Sequence, residues 1–407
     1  MDGSIQFRGR VCWGGGWLLA VFFGGLFLVG CGEPEAESGD SGTVTNRVSA
    51  HSDWPLFRGD PQMQGVSPET VEPPLELLWT YEPAVEEGRR RPPIEASPVI
   101  LDGTVYVGTQ AAEFLAIDLE TGEERWKFEA EGSITAPAAA HGDLVYFGDN
   151  YGFIYALKTE NGEEVWRYET EGKIEGGVNL LHDYEGGTAV LVGSHDYFLY
   201  CLDAANGEVY WKEETGNYIV ATPSVVGEGA ERAVCFGGCD GLLYILPTSA
   251  DGEEKKVEIG SYIANSVSVR DGIAYVAHNG GEILAIEQKS GEEVWRIATG
   301  TEYTASPAVD ETNVYIAGPD KRLVAYDRVT GDEKWAFLAR RSLDSSPVVS
   351  GNAIWQAGMD GRLYAVSRED GSELWQFEIG AQIKASPAIS RGVLVVCGSD
   401  GVVYALR

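Results

Sequence analysis

The sequence predicts an all-β fold, an eight-bladed β-propeller of four-stranded antiparallel blades closed by pairing of its N- and C-terminal strands. Three observations carry the prediction. One phrase returns along the chain with a period of about 40 residues. Each copy holds short runs of alternating apolar and polar residues bounded by Gly, Asn and Asp turns. The first and last parts of the chain supply complementary pieces of one copy.

The chain opens on a segment that is not part of the repeat. Arg8 and Arg10 precede an apolar run from Trp17 to Gly30 that ends in Leu28-Val29-Gly30-Cys31, the pattern of an export signal. The ending resembles a bacterial lipobox, and that resemblance implies cleavage before Cys31 and lipidation of Cys31. An uncleaved membrane anchor is the competing reading, but the apolar run is short for a span. Gly at position 32, rather than Asp, implies by the same resemblance sorting to the outer membrane, on its periplasmic side. Residues 31–53 are nearly devoid of apolar side chains and read as a tether, holding the folded body on the order of 25 Å from the lipid. The propeller is assigned to residues 54–407, after a signal peptide at 1–30.

Within the propeller each unit starts with an Ala/Ser-Pro or equivalent pair. The eight starts are Ser97-Pro98, Ala136-Pro137, Gly177-Val178, Thr222-Pro223, Ser266-Val267, Ser306-Pro307, Ser346-Pro347 and Ser386-Pro387. A Val-Tyr-x-Gly strand and a Tyr-Ala-Leu strand follow, and the unit ends on Gly-x-x-x-Trp, as at Gly122…Trp126 and Gly162…Trp166. In one copy Lys256 stands where the Trp is expected. The last start runs out at Ala405-Leu406-Arg407, and the missing outer strand lies before the first start, at Leu77-Leu78-Trp79-Thr80-Tyr81. Trp at this spacing is expected to fill the gap between adjacent blades. The aromatic-rich opening Trp54-Pro55-Leu56-Phe57-Arg58-Gly59-Asp60 is expected to seal one face of the ring.

The units Ala116-x-Asp118-x-x-Thr121-Gly122-x-x-x-Trp126 and Ala325-x-Asp327-x-x-Thr330-Gly331-x-x-x-Trp335 resemble the pyrroloquinoline-quinone-type propeller repeat over about residues 75 to 407. Two groups share such repeats: quinoprotein dehydrogenases, and the non-enzymatic BamB-like lipoproteins of outer-membrane protein assembly. The second resemblance implies a lipid-anchored scaffold that holds a protein partner, the outer-membrane barrel-assembly machinery being the partner implied. A pyrroloquinoline-quinone-dependent oxidoreductase, and an extracytoplasmic sensor or carbohydrate-binding module with exposed Trp and Tyr, are the alternatives.

Chemistry-bearing residues favour a binding protein over an enzyme. The Cys-Cys pair that marks the quinoprotein alcohol dehydrogenases does not occur in the chain. Cys201, Cys235, Cys239 and Cys397 read as buried free thiols, because Cys235 and Cys239 have no His near them in sequence to complete a metal set; a disulfide is the alternative in an exported protein. His141, His182, His195 and His278 read as solvated turn residues on different blades. No catalytic residue, cofactor or metal is expected. The formal charge of −33 repels polyanions and excludes nucleic acid as a partner.

Two candidate sites remain. Superposing the eight starts places Glu95, Glu175, Thr304, Asp344 and Lys384 near the axis, either as a small-ligand, cation or peptide-tip pocket or as a hydrated, charge-compensated channel. Arg89, Arg90, Arg91 and Arg340, Arg341 occupy the same class of loop, from an outer strand to the next inner strand, and are candidates for docking an acidic partner; merely offsetting local negative charge is the alternative.

Overall fold

The computed structural model describes residues 52–407 apart from 86, 87, 89 and 250, so the export segment, Cys31, most of the tether and Arg89 lie outside the described residues. Eight antiparallel sheets of four strands follow one another around an axis, one of them widened by an added strand. Blade 1 is built from Val99–Leu101, Thr104–Gly108, Glu113–Asp118 and Glu124–Glu129, running outward in that order. Blades 2 to 7 occupy residues 139–169, 179–214, 224–258, 268–298, 308–338 and 348–378. Blade 8 takes three strands from residues 388–406 and its outer strand from Leu77–Tyr81, with Leu77 opposite Leu406 and Tyr81 opposite Val403. The two ends of the chain therefore close the ring, as the truncated last repeat predicts.

Burial follows from the stacking. Central strands such as Thr104–Gly108 are covered on both faces and buried throughout, whereas the outer strand Glu124–Glu129 buries Trp126 and exposes its charged neighbours. That Trp joins adjacent blades. The ring of Trp126 lies on the turn of blade 2 at Gly162, where an added Cβ would come within 2.5 Å of the indole, and its Nε1 donates to the Thr159 carbonyl at 2.9 Å. Gly162 also holds a positive φ of 73°, so glycine answers two constraints at once. Trp79 on Leu119, Trp166 on Ala204, Trp295 on Arg328 and Trp335 on Arg368 repeat the bond to the next blade. The Gly-x-x-x-Trp spacing thus has a simple origin: Gly receives the indole of the preceding blade and Trp offers one to the next.

A second joint runs close to the axis. The backbone N–H of Ser386 donates to the Ser97 hydroxyl, Ser346 to Ser386, Ser306 to Ser346, Ser266 to Ser306, Thr222 to Ser266, and Gly177 to Thr222, all between 2.8 and 3.1 Å. The hydroxyl that opens each repeat is therefore a clasp between blades, and the belt is interrupted only where Ala136 and Gly177 lack one.

Residues 54–69 thread across the face that carries the turns between the first two strands of each blade. The segment meets the inner strands in order around the ring. Trp54 exchanges backbone bonds with Ile100, Pro55 accepts from Ala140, Pro61 from Val225, Gln62 from Val269, Gln64 from Val309 and Gly65 from Val349. Asn179 of blade 3 donates to Pro61, and Gly392 of blade 8 donates to Glu69. Val66–Ser67 then adds a parallel strand to blade 7. At the centre of this plug the buried Arg58 guanidinium donates to the carbonyls of Pro347 at 2.7 Å and Pro307 at 3.0 Å. Burial pushes that guanidinium down to about 9, so it keeps its charge at neutral pH.

Trp126→Ala removes a buried indole, its bond to Thr159 and the cover of the Gly162 turn. A loss of about 3–5 kcal/mol in unfolding free energy is expected from denaturant titration, with a smaller loss for the half-buried Trp375.

Candidate functional site

The face opposite the plug carries the turns between second and third strands and the loops that enter each blade. At its centre Glu95, Glu175, Thr304, Asp344 and Lys384 line one axial pocket of about 160 Å³, together with Asn265 and the serine belt. Phe57, from the plug, reaches the same lining. Superposition of the repeats therefore brings together every axial candidate, because inner strands converge on the axis whatever their loops contain.

The charges on this rim are paired locally. Lys384 Nζ lies 2.7 Å from Glu95 Oε1, and Glu175 meets His195 Nε2 at 2.7 Å and Lys173 Nζ at 2.5 Å. The hydrogen bond from His195, with Lys173 in support, holds the Glu175 carboxyl down to about 2 despite partial burial. Asp344 has no ion-pair partner among the described residues. The rim can order water and small cations; a built catalytic constellation of nucleophile, base and orienting group is not assembled there.

The basic loops fare differently from one another. Arg89 lies outside the described residues. Arg91 pairs with Glu82 in its own loop, and Arg90 borders an open groove of about 550 Å³ whose lining includes Glu113 and Glu129. Arg340 and Arg341 are exposed in the loop that enters blade 7, two positions around the ring from the loop that enters blade 1. The loop class places Arg90, Arg91, Arg340 and Arg341 on one face, but Arg91 already offsets a local carboxylate.

Histidine placement departs in part from the solvated turns expected: His141 is exposed and His182 and His195 are half-buried. His278 is buried, 1% exposed, with Nδ1 accepting from the Gly280 N–H, and burial lowers its pKa. The rings of His141 and His182, on adjacent blades, lie 4.4 Å apart, and His195 stacks on Tyr218 at 4.5 Å. Propeller geometry accounts for both: equivalent ends of neighbouring blades sit side by side, which joins His141 to His182 41 residues on, and the loop entering blade 4 folds back onto the turn of blade 3, which joins Tyr218 to His195. The four cysteines of the described residues are free. Cys201, Cys235 and Cys397 are buried, with burial pushing the Cys235 thiol up to about 12. Cys239 is only half-buried, in the turn after its strand, which corrects its assignment as a buried thiol.

Sequence inspection missed the cluster beside Glu175. Tyr197 and Tyr218 are 41% and 42% exposed with ring centroids 5.3 Å apart, and Tyr151 and Tyr262 are exposed on the same face. A usable signal existed. At the positive-φ position of this turn, Gly152, Gly241, Gly281, Gly361 and Gly401 serve five blades and Ala112 and Lys321 two more, whereas a large aromatic residue, Tyr197, holds it in blade 3 with φ 76°.

A closed ring of Trp-clasped four-stranded blades with a small acidic axial pocket defines a propeller of the pyrroloquinoline-quinone-type repeat. The family model described as outer membrane protein assembly factor BamB matches residues 76–168, 150–235, 249–345 and 337–407, and the chain belongs to that family. Among solved structures, BamB from Moraxella catarrhalis superposes with a TM-score of 0.67 at 20% identity, over 82% of this chain and 98% of that one. Quinohemoprotein alcohol dehydrogenase from Comamonas testosteroni gives 0.73 at 16% identity, over 87% of this chain and 80% of that one. The computationally designed protein Ika8 gives 0.66 at 16%, over 78% and 97%. These likenesses establish the fold. No curated protein matches the chain in sequence.

The repeat type raises the quinone cofactor, and the residues present do not fit it. At about 160 Å³ the axial pocket falls below the ~300 Å³ at which small-molecule sites begin. Its rim also presents Glu95, Glu175 and Asp344 to what would be a polycarboxylate.

Because the Glu175 carboxyl is held below its unfolded value, its contribution to stability is complete above about 4.5 and is lost as pH falls toward about 2. Thermal melts of wild type and Glu175→Gln should differ near pH 5 and converge as the pH approaches about 2.

Proposed function

We propose that the protein is a lipid-anchored, non-enzymatic scaffold of the cell envelope that docks a protein partner in outer-membrane protein assembly. The carrying observation is the family match over residues 76–235 and 249–407. The Leu28-Val29-Gly30-Cys31 ending supports export and lipidation of Cys31, and residues 32–53 supply the tether to an outer-membrane anchor on the periplasmic side. The axial ring acts as a hydrated, charge-compensated channel mouth, consistent with its local ion pairs. Exposed Arg340 and Arg341 are candidates for partner contact, whereas the quinone misfit weighs against an oxidoreductase.

In a bacterial host fed a clickable palmitate analogue, the wild-type chain should take the label into the envelope fraction and Cys31→Ser should not. Crosslinking in intact envelopes should then capture a component of the barrel-assembly machinery with wild type. A chain that captures none, or that takes up pyrroloquinoline quinone with calcium and reduces a dye with alcohols, would sink the scaffold reading.

A further inference from the structure

On the axial face a non-glycine residue holds a left-handed turn position in three blades, at Ala112, Tyr197 and Lys321. A non-glycine residue in the left-handed region is uncommon, and for a bulky side chain it is an outlier kept only where its surroundings enforce it. Tyr197 is such a residue, at the turn position where five other blades use glycine. Its side chain gains little from burial in exchange, being 41% exposed. Glycine would suit this backbone as it would at Ala112 and Lys321; what sets Tyr197 apart is the exposed aromatic ring it presents to solvent.

What surrounds it is an aromatic platform in an acidic frame. Tyr218, from the loop that enters blade 4, lies 5.3 Å from Tyr197 with the planes tilted by 43°, and His195 stacks on Tyr218 at 4.5 Å with the planes 22° apart. The His195 ring is fixed in turn by its 2.7 Å bond to Glu175. Asp196 accepts from the Glu171 N–H and Asp240 accepts from the Gly216 N–H, so the loops on both sides of the rings carry carboxylates. Lys173, already tied to Glu175, offsets one of these. Faces of electron-rich rings beside carboxylates attract a cation, and a planar guanidinium most of all.

We propose that Tyr197, Tyr218 and His195 form a recognition platform for an arginine- or lysine-bearing segment of the partner protein. The inference rests on the scaffold reading and names the partner's chemistry. A ring cluster alone would equally suit a sugar; the acidic frame and the chain's net charge of −33 favour a basic protein segment.

The test uses the propeller with its plug and a capped heptapeptide carrying two arginines, measured by calorimetry. A glutamine-substituted copy of the peptide and chitotriose serve as the competing ligands. Wild type should bind the arginine peptide saturably, more weakly as salt rises, and bind neither competitor. Tyr197→Gly should weaken binding by about tenfold or more while its Tm stays level or rises, since glycine suits the turn. Tyr197→Phe should retain binding. Lys321→Gly relieves the same backbone conformation in blade 6 and should leave affinity within about twofold. Undiminished binding by Tyr197→Gly, equal weakening by Lys321→Gly, preference for chitotriose, or no binding of the arginine peptide would each overturn the platform. Envelope crosslinking separates the two readings. Partner capture that persists in Tyr197→Gly refutes the platform and leaves the scaffold standing. Peptide binding by a wild type that captures no partner refutes the scaffold and leaves the platform.

Discussion

A blade of four strands has two apolar faces and no core of its own, so the stability of this protein resides in the joints between blades. Three kinds of contact make these joints: apolar side chains interdigitate between sheets, at five joints an outer indole lies on the next blade's glycine turn, and at six a Ser or Thr hydroxyl near the axis accepts from its neighbour's backbone. The outer and inner bonds sit at opposite ends of the blade and fix its angle in the ring. A ring also has no terminal unit to sacrifice, because Leu77–Tyr81 supplies the edge that residues 388–406 lack. Closure couples the strand Leu77–Tyr81 to residues 403–406 near the C-terminal end.

The joints are not uniform. Trp211 of blade 3 donates to the Tyr184 hydroxyl of its own blade rather than to blade 4, and blade 4 has Lys256 in place of Trp, so that Val257 meets the Gly291 turn instead. The belt of hydroxyls lapses elsewhere, at Ala136 and Gly177. The plug spans both regions, because residues 54–69 bond to inner strands around the whole ring. Arg58 draws the carbonyls of Pro307 and Pro347 to one guanidinium, a role that a lysine with a point charge would fill less well.

Plug and platform divide the labour between two faces. One face is closed by backbone bonds and buried side chains and keeps the ring shut. The other keeps a narrow acidic mouth and, to one side of it, the exposed tyrosines. Strain at Tyr197 is affordable there because the Asp196 carboxylate of the same turn accepts from the Tyr200 hydroxyl and from the Phe198 N–H, holding the loop in place.

Sequence alone determined the repeat, the number of blades, the closure by both termini and the convergence of Glu95, Glu175, Thr304, Asp344 and Lys384 on the axis. All of these follow from periodicity, which a linear reading measures directly. It also located the Trp and Gly of the outer joint, though not their partnership, since each Gly serves the Trp of the blade before it. Tertiary structure decided what depends on side-by-side packing of blades. It brought His195 onto Tyr218 and Glu175, set His141 against His182, buried His278, made the repeat-opening serines into a belt and tied Arg91 to Glu82. Those outcomes turn on contacts between residues one repeat apart, or on how a loop folds back. Such distances are set by the curvature of the ring, which no local pattern encodes.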